Sequence, residues 1–494
     1  MTEGINLDLF PTPIHPPRSS SLNNPLIPRT WPGVSPSSTA TLQSILSDNH
    51  KRWHVFFNEN QFHNHSAHSV LTLWCLGADK SLLESAYKQS SAYQRAAFPS
   101  PSSISQQNWR DYVGDERYYQ AYLEFFTAEV NVKSFDTILE EYIFAPKANF
   151  VEGPGKQPQM LTRFFAGLIH PLIHTGLGIE FGLPGTFAEG LAQTAVHRVV
   201  SQTTIITPSW FLQDENELAS RFAQGVDMEN AKTGTHAFTI LGRILADPRL
   251  DLEKPRDEGM IYTNVLDKAA DVLREYVDQW NPTGDLQKKL EELLWTNVLI
   301  YGVCGSEGNG NFNADFFHMH FVTSSLFLSS IFSLLKRSSQ ELLLRGYFAI
   351  CLIWYIARGR PEVDIARFFG NAATLHPIPP GPKPTPHKDV SPSPTSSYAI
   401  IPNPWLPIIQ STLTHPDDHL PKLQRALAEY SSRFGSTPAG YFKGTELKDA
   451  ELIDGTLFVR VAGLTAGRLG WVREGEPPLG SWDRRGFFKV ADQI

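Results

Sequence analysis

Apolar residues along the chain recur with the 3.6-residue period of helices and seldom alternate as strands do. Leu42, Ile45 and Leu46 open the pattern at Thr41, and Ser69 to Ala78 followed by Leu82, Leu83, Ala86 and Tyr87 reads as two helices broken at Gly77. The period returns at Phe125-Phe126, Ile138-Leu139, Phe164-Phe165, Leu191 to Val200, Ile240 to Leu245, Val265 to Tyr276 and Leu286 to Val298. The fold class predicted is all-α, a large multi-helix single domain, with 31 Phe and 11 Trp to fill the gaps between helices. Residues 1–40 are rich in Pro and Ser and read as an arm that is extended on the surface or disordered. Residues 41–440 form the helical domain, interrupted by a proline-dense loop near 375–405, with a helix resuming at about 416. In the segment 441–494 the alternation from Thr456 to Ala462 predicts a strand, so this part is expected to be a small irregular or β tail packing on the same domain.

A net charge of -8 argues against a nucleic-acid partner, because no basic stretch could neutralise a row of phosphates. A small molecule or a soluble partner fits better. Cys75, Cys304 and Cys351 are far apart in apolar surroundings and make no CxxC pair, which predicts a reducing, cytoplasmic location. The first residues show neither a basic region nor an apolar core, so no secretory signal is expected. The apolar run Gly346 to Ala357 is too short for a bilayer that needs about 20 residues; it reads as a buried helix, and no transmembrane segment is expected.

Chemistry is concentrated in histidine. Most of the 16 stand in short groups inside apolar sequence: His63, His65 and His68; His170 and His174; His318 and His320; His415 and His419. Imidazole is the commonest protein ligand of transition metals, so pairs brought together from separate helices would make a nitrogen-rich metal pocket. The alternative is a set of core or capping histidines, each bonded to a carbonyl or carboxylate.

Spacing sorts the candidates. His65 and His68 share a helical face with Thr72 and Cys75, and His63 would point elsewhere. Pro171 reads as the first helical residue, with His170 at the cap and His174 inside the helix. Glu189, Gln193 and His197 form a polar stripe, read as facing solvent rather than a polar cavity. His318 and His320 diverge by roughly 200° on a helix, and His320, aligned with Thr323 and Ser324, is favoured. His415, His419 and Lys422 would share one face of a continuous helix, although Pro421 interrupts or restarts it. From spacing alone Lys422 is a surface lysine; beside metal-binding histidines it would be neutral, or converted by carbon dioxide to a carbamate. No GxGxxG after a strand, GxxxxGK[ST], HExxH or GxSxG occurs, so no flavin or nicotinamide fold is recognisable.

The blocks FHNHSAHSVLTLWCLGA, NWRDYVG with YYQAYLEFF, GLIHPLIHTGLGIEF with AEGLAQTAVH, DFFHMHFVTSS, ARGRPE and HPDDHLPKLQRAL follow one another over residues 41–485. In that order they resemble the questin oxidase-like family of fungal proteins. The resemblance implies oxygen-dependent ring opening of the Baeyer-Villiger type on anthraquinones and related aromatic polyketides in secondary metabolism, often with NADPH. Two departures stand out: Ser69 where the family usually has a further His, and His318 where it usually has an aliphatic residue.

Oxygen insertion into a carbon–carbon bond takes a flavin or a metal, and no flavin fold is visible. A non-heme iron site is therefore expected, and the family's blocks carried onto this sequence imply His65, His174, His320 and His419 as its ligands, with Lys422 as a candidate carbamate ligand. His68, His170 and His197 are expected to contact substrate or support the ligands as catalytic groups. The expected partners are the aromatic polyketide and O2. Three other readings remain: a metal-independent, NADPH-requiring monooxygenase whose histidines act as bases, a metal-dependent hydrolase or lyase, and a non-catalytic helical scaffold.

Overall fold

The computed structural model describes residues 8–13, 30–153, 155–201, 204–211, 234–282, 284–308, 311–478 and 480–488. Helices of ten residues or more carry the fold: α1 (Pro36–Arg52), α2 (Ser66–Cys75), α3 (Lys80–Ser91), α4 (Tyr119–Val130), α5 (Ala166–Phe181), α6 (Pro184–Val196), α7 (Ala237–Ala246), α8 (Ile261–Trp280), α9 (Leu286–Gly305), α10 (Phe316–Phe332), α11 (Arg337–Ala357), α12 (Trp405–Thr414), α13 (Leu420–Phe434) and α14 (Leu457–Leu469). The one sheet among the described residues is a short antiparallel hairpin, Ser306–Gly308 with Asn311–Phe312. A single core runs from Phe10 to Trp482.

The centre is a layer of largely buried helices. α5 packs on α6 and α10, α10 packs on α9 and α13, and α13 reaches α2. Close approach is set by small residues: a Cβ on Gly178 would lie 2.4 Å from the Phe187 nitrogen, and one on Gly190 would lie 2.4 Å from Thr175 Oγ1. The glycines near Gly176 are thus contact points between helices. α11, the run read as a buried helix, has the length and composition of a membrane span, yet most of its side chains are buried in the core.

Three expectations change. The strand predicted at 456–462 is the start of α14, which lies between α9 and α13 and buries Leu457, Phe458, Val461 and Ala462. On such a segment alternation says nothing about period, because both faces are covered. The arm expected over 1–40 contains the beginning of α1: Ser35 caps it, with Pro36 at the first helical position and Ser38 closing a capping box. Within the same arm Phe10 is buried, its carbonyl takes a hydrogen bond from Gln43 Nε2, and its ring meets His50 edge-on; residues 1–7 and 14–29 lie outside the described residues. Finally, helix resumes twice after the proline-dense loop, at Trp405 and at Leu420, with the break at His415-Pro416. Proline disfavours helical backbone in the residue before it, which ends α12 at Thr414.

Candidate metal centre

Four helices, α2, α5, α10 and α13, converge on a buried group of imidazoles, and each is positioned by a local device. Asn64 Oδ1 accepts the Ser66 N–H and starts α2, leaving His65 at its cap and His68 in its first turn. Gly167, Leu168 and Ile169 all take left-handed backbone before α5 straightens, with φ of 53°, 56° and 64°. Such a run costs about 1–3 kcal/mol per non-glycine residue and persists only where the surroundings hold it. It turns the Gly167 carbonyl onto His170 Nδ1 at 2.5 Å. The Asp315 carboxylate caps α10, which carries His320, and is itself held by Arg358 at 2.7 Å. That contact gives the ARGRPE block a structural role. Asp417 Oδ1 caps α13, which carries Lys422, and takes the Trp482 indole N–H at 3.1 Å.

Four imidazoles share one pattern. His65 Nδ1 meets Asp418 Oδ2 at 3.1 Å, His419 Nδ1 meets Asp418 Oδ1 at 2.7 Å, His170 Nδ1 meets the Gly167 carbonyl, and His320 Nδ1 meets the Phe316 carbonyl at 2.6 Å. Carboxylates and carbonyls only accept, so each Nδ1 must carry the proton and each Nε2 of a neutral ring is left bare. His65 Nε2 and His170 Nε2 nevertheless lie 2.8 Å apart. Among the described residues His320 Nε2 and His419 Nε2 have no hydrogen-bond partner although buried. The ligating nitrogens of His65, His170 and His419 lie within 4.8 Å of one another, and the His320 ring is 5.0 Å from that of His170 and 5.2 Å from that of His419.

Burial dominates the electrostatics of His63, His65, His68, His170 and His320. Burial, and after it neighbouring imidazoles and Lys422, pushes His63, His68, His170 and His320 well below the usual histidine range. Burial and Lys422 take His65 down to about 3. Burial opposes ionisation of Asp418, but His65 and His419 hold its carboxyl well below the usual range. Lys422 is buried too, its Nζ has no hydrogen-bond partner among the described residues, and burial lowers its pKa against the pull of Asp418 and Asp417.

Several expectations are corrected here. Lys422 is not on the surface, because the N-terminal turn of α13 faces the cluster. His415 does not share a helix with His419: it caps the end of α12, and its Nε2 reaches the Leu469 carbonyl at 3.2 Å. The stripe on α6 does not face solvent, since α4 and α5 cover it and Glu189, Gln193 and His197 are all buried. His63 does not point away: a bridge to Phe56 turns it inward, where it stacks on His170 at 3.9 Å between ring centres and meets His197 Nε2 at 3.2 Å. His174 uses both ring nitrogens elsewhere, Nδ1 on His68 at 2.9 Å and Nε2 on Glu189 at 2.7 Å, while His170 presents its Nε2 to His65. As the helical spacing dictates, His318 diverges from His320 and stacks on Phe487.

Beside the cluster a cleft of about 330 Å³ is lined by Ser69, Leu73, Leu82, Tyr93, Leu413 and Asp418 among others. Asp418 belongs to both, one carboxylate holding His65 and His419 and lying 3.4 Å from the Tyr93 hydroxyl.

The chain matches the model of the questin oxidase-like family over residues 62–427. It is 31% identical over 354 residues to the Baeyer-Villiger oxidase mdpL of Emericella nidulans, covering 67% of this chain and 72% of that protein. Identity to the Baeyer-Villiger monooxygenase AacuH of Aspergillus aculeatus is 29%, with 67% of this chain and 71% of the relative covered. The questin oxidase of Aspergillus fumigatus is 28% identical over 65% of this chain and 70% of its own length.

Proposed function

The chain belongs to the questin oxidase-like family and is an oxidoreductase, and from that premise we propose that it opens a ring of an anthraquinone or related aromatic polyketide with O2 at a His-rich non-heme iron site. The observation that carries the metal is the meeting of His65 Nε2 and His170 Nε2 at 2.8 Å while both Nδ1 atoms donate to oxygens. Either tautomeric swap would set a bare nitrogen against a carboxylate or a carbonyl, and protonation is opposed by burial. A cation accepting both lone pairs removes the conflict. The residues that would hold it are His65, His170, His320 and His419, so His170 takes the place expected for His174. Fixing each ligand through a hydrogen bond on its other nitrogen is how histidine ligands are oriented. Burial lowers the pKa of Lys422, and in its free-amine form it would add carbon dioxide to give a carbamate and a proton, supplying an anionic oxygen ligand to an otherwise neutral set.

Iron bound there would supply the redox chemistry that lets O2 react with a closed-shell aromatic ring. The protein's own part is to bind and orient the ring and to manage protons. The cleft beside Asp418 falls at the lower end of the roughly 300–1,000 Å³ of small-molecule sites, with apolar walls from Leu73, Leu82 and Leu413 and hydroxyls from Tyr93 and Ser69. Entry of both oxygen atoms into the product balances without a reductant. A Baeyer-Villiger insertion of one atom sends the other to water and needs two electrons from NADPH.

The test is the metal content of protein purified without chelator, measured beside oxygen uptake with an anthraquinone, for wild type, His320→Ala and His419→Ala. Near-stoichiometric iron lost from both variants together with oxygen uptake is the expected result. Metal-free wild type that still consumes oxygen with the anthraquinone would sink the iron site and leave the histidines as bases.

A further inference from the structure

Half-buried His50 and three buried side chains beyond the open imidazoles form a continuous hydrogen-bonded row: His50 Nδ1 to Glu189 Oε1 at 2.6 Å, Glu189 Oε2 to His174 Nε2 at 2.7 Å, and His174 Nδ1 to His68 Nε2 at 2.9 Å. Its protons can be assigned from one end. A carboxylate only accepts, so His50 Nδ1 and His174 Nε2 are N–H donors. A His174 ring carrying that one proton has a bare Nδ1, so the nitrogen facing it, His68 Nε2, must be the donor. That leaves the His68 lone pair on Nδ1, which is fully buried and has no partner among the described residues. The row therefore ends in an unused base beside the cluster, its ring 5.7 Å from that of His65 and 6.2 Å from that of His170.

We propose that His68, backed by His174 and Glu189, is the general base that removes a phenolic proton from the substrate; this rests on the aromatic polyketide reading above. In the step the substrate O–H bond breaks and an N–H forms at His68 Nδ1. The Nε2–H of His68 passes to His174 Nδ1, so the products are a phenolate and an imidazolium at His174. The His174 Nε2–H stays on Glu189, whose negative charge balances the new cation. No electrons move, and no further reactant is required.

Moving the charge is the purpose of the second ring. At His68 Nδ1 a cation would have no carboxylate partner among the described residues; at His174 it sits against the Glu189 carboxylate in a water-poor interior, where Coulomb attraction is strong. Burial pushes Glu189 up, but the hydrogen bonds from His174 and His50 outweigh it and hold the carboxyl at about 2, so the counter-charge is present at neutral pH. A phenolate is a better electron donor to oxygen than a phenol, so the base serves an iron-bound and an iron-free protein alike. Glu189 and His174 act through His68 and are positioning residues.

The ionisation can be read from the ligand. Binding 1,8-dihydroxyanthraquinone anaerobically to the full chain at pH 7 should give the long-wavelength absorption of its phenolate in wild type. In Glu189→Gln the ratio of bound phenolate to bound phenol should fall by about tenfold or more, one pKa unit, with the metal content unchanged. His68→Asn should show the same loss and serves if Glu189→Gln does not fold. An unchanged phenolate fraction in a folded variant, or a bound wild-type ligand that stays neutral, would overturn the base. No binding by wild type would instead overturn the substrate class, and with it the phenol this base requires.

Discussion

Two carboxylates, half-buried Asp418 and buried Glu189, each hold two histidines, and they do opposite things with them. Asp418 grips His65 and His419 both through Nδ1, so both rings turn a bare Nε2 toward the cluster. Glu189 grips His174 through Nε2, so the nitrogen left over is Nδ1, and it is already taken by His68. The same chemical motif thus yields a pair of open lone pairs on one side and a closed row on the other. Which ring nitrogen is tied, not how many histidines are near, separates the proposed ligands from the proposed relay. Covering differs too: Asp418 lines a cleft, whereas Glu189 lies beneath α1, with Phe10 edge-on to His50.

The largest effect that bears on this contrast is expected from His68→Asn, which ends the Glu189 row and should lower turnover by about a hundredfold or more, the usual contribution of a general base, while leaving the metal content unchanged. Steady-state rates beside metal analysis check it; equal loss of metal here and at Asp418 would erase the distinction. Next, Asp418→Asn should weaken metal binding by about 10- to 100-fold, because two ligands lose the acceptor that orients them. A metal titration reads it, and affinity equal to wild type would mean that Asp418 only shapes the cleft.

Gly167→Ala should act on structure first. A Cβ there would lie 2.3 Å from His197 Nε2 and 2.6 Å from His63 Cε1, on backbone already left-handed, so a cost of about 1–3 kcal/mol is expected, seen as a lower melting temperature. A variant as stable as wild type would show that the turn before His170 is not held in this form.

The smallest effect is on pH. Burial takes His197 down to about 4, whereas in the unfolded chain it would titrate near 6.5. The unfolded state then binds more protons between those values, so stability is full above about 6.5 and falls as the pH drops toward 4. Between pH 7 and 6 one such group contributes less than about 1 kcal/mol, measurable as a shift in the urea midpoint that His197→Asn should diminish. A midpoint that rises on acidification would reverse the sign.

Much of the helical order was legible because its signals are local. The break at Gly77, the apolar helix through Gly346 to Ala357 and the divergence of His318 from His320 all follow from helical spacing. The failures occur where packing overrides a short pattern. Thr456 to Ala462 alternates like a strand, yet the segment is covered on both faces. The α6 stripe looks solvated because Glu189, Gln193 and His197 are polar, and nothing within α6 reveals that α4 and α5 close over it. His63 was sent outward by helical spacing, although it lies in a loop bridged to Phe56 where that spacing does not apply. His50 carries no signal at all, standing alone in the last turn of α1.

The sequence by itself determined that this chain is helical, that it gathers histidines into short groups, and that its blocks occur in the order of one oxidase family. Only the tertiary structure decided which nitrogen of each imidazole is free. The reason is physical: a ring chooses its tautomer by the acceptor it meets, and the acceptor of His65 is Asp418, 353 residues away along the chain, while that of His170 is a carbonyl turned by three left-handed residues.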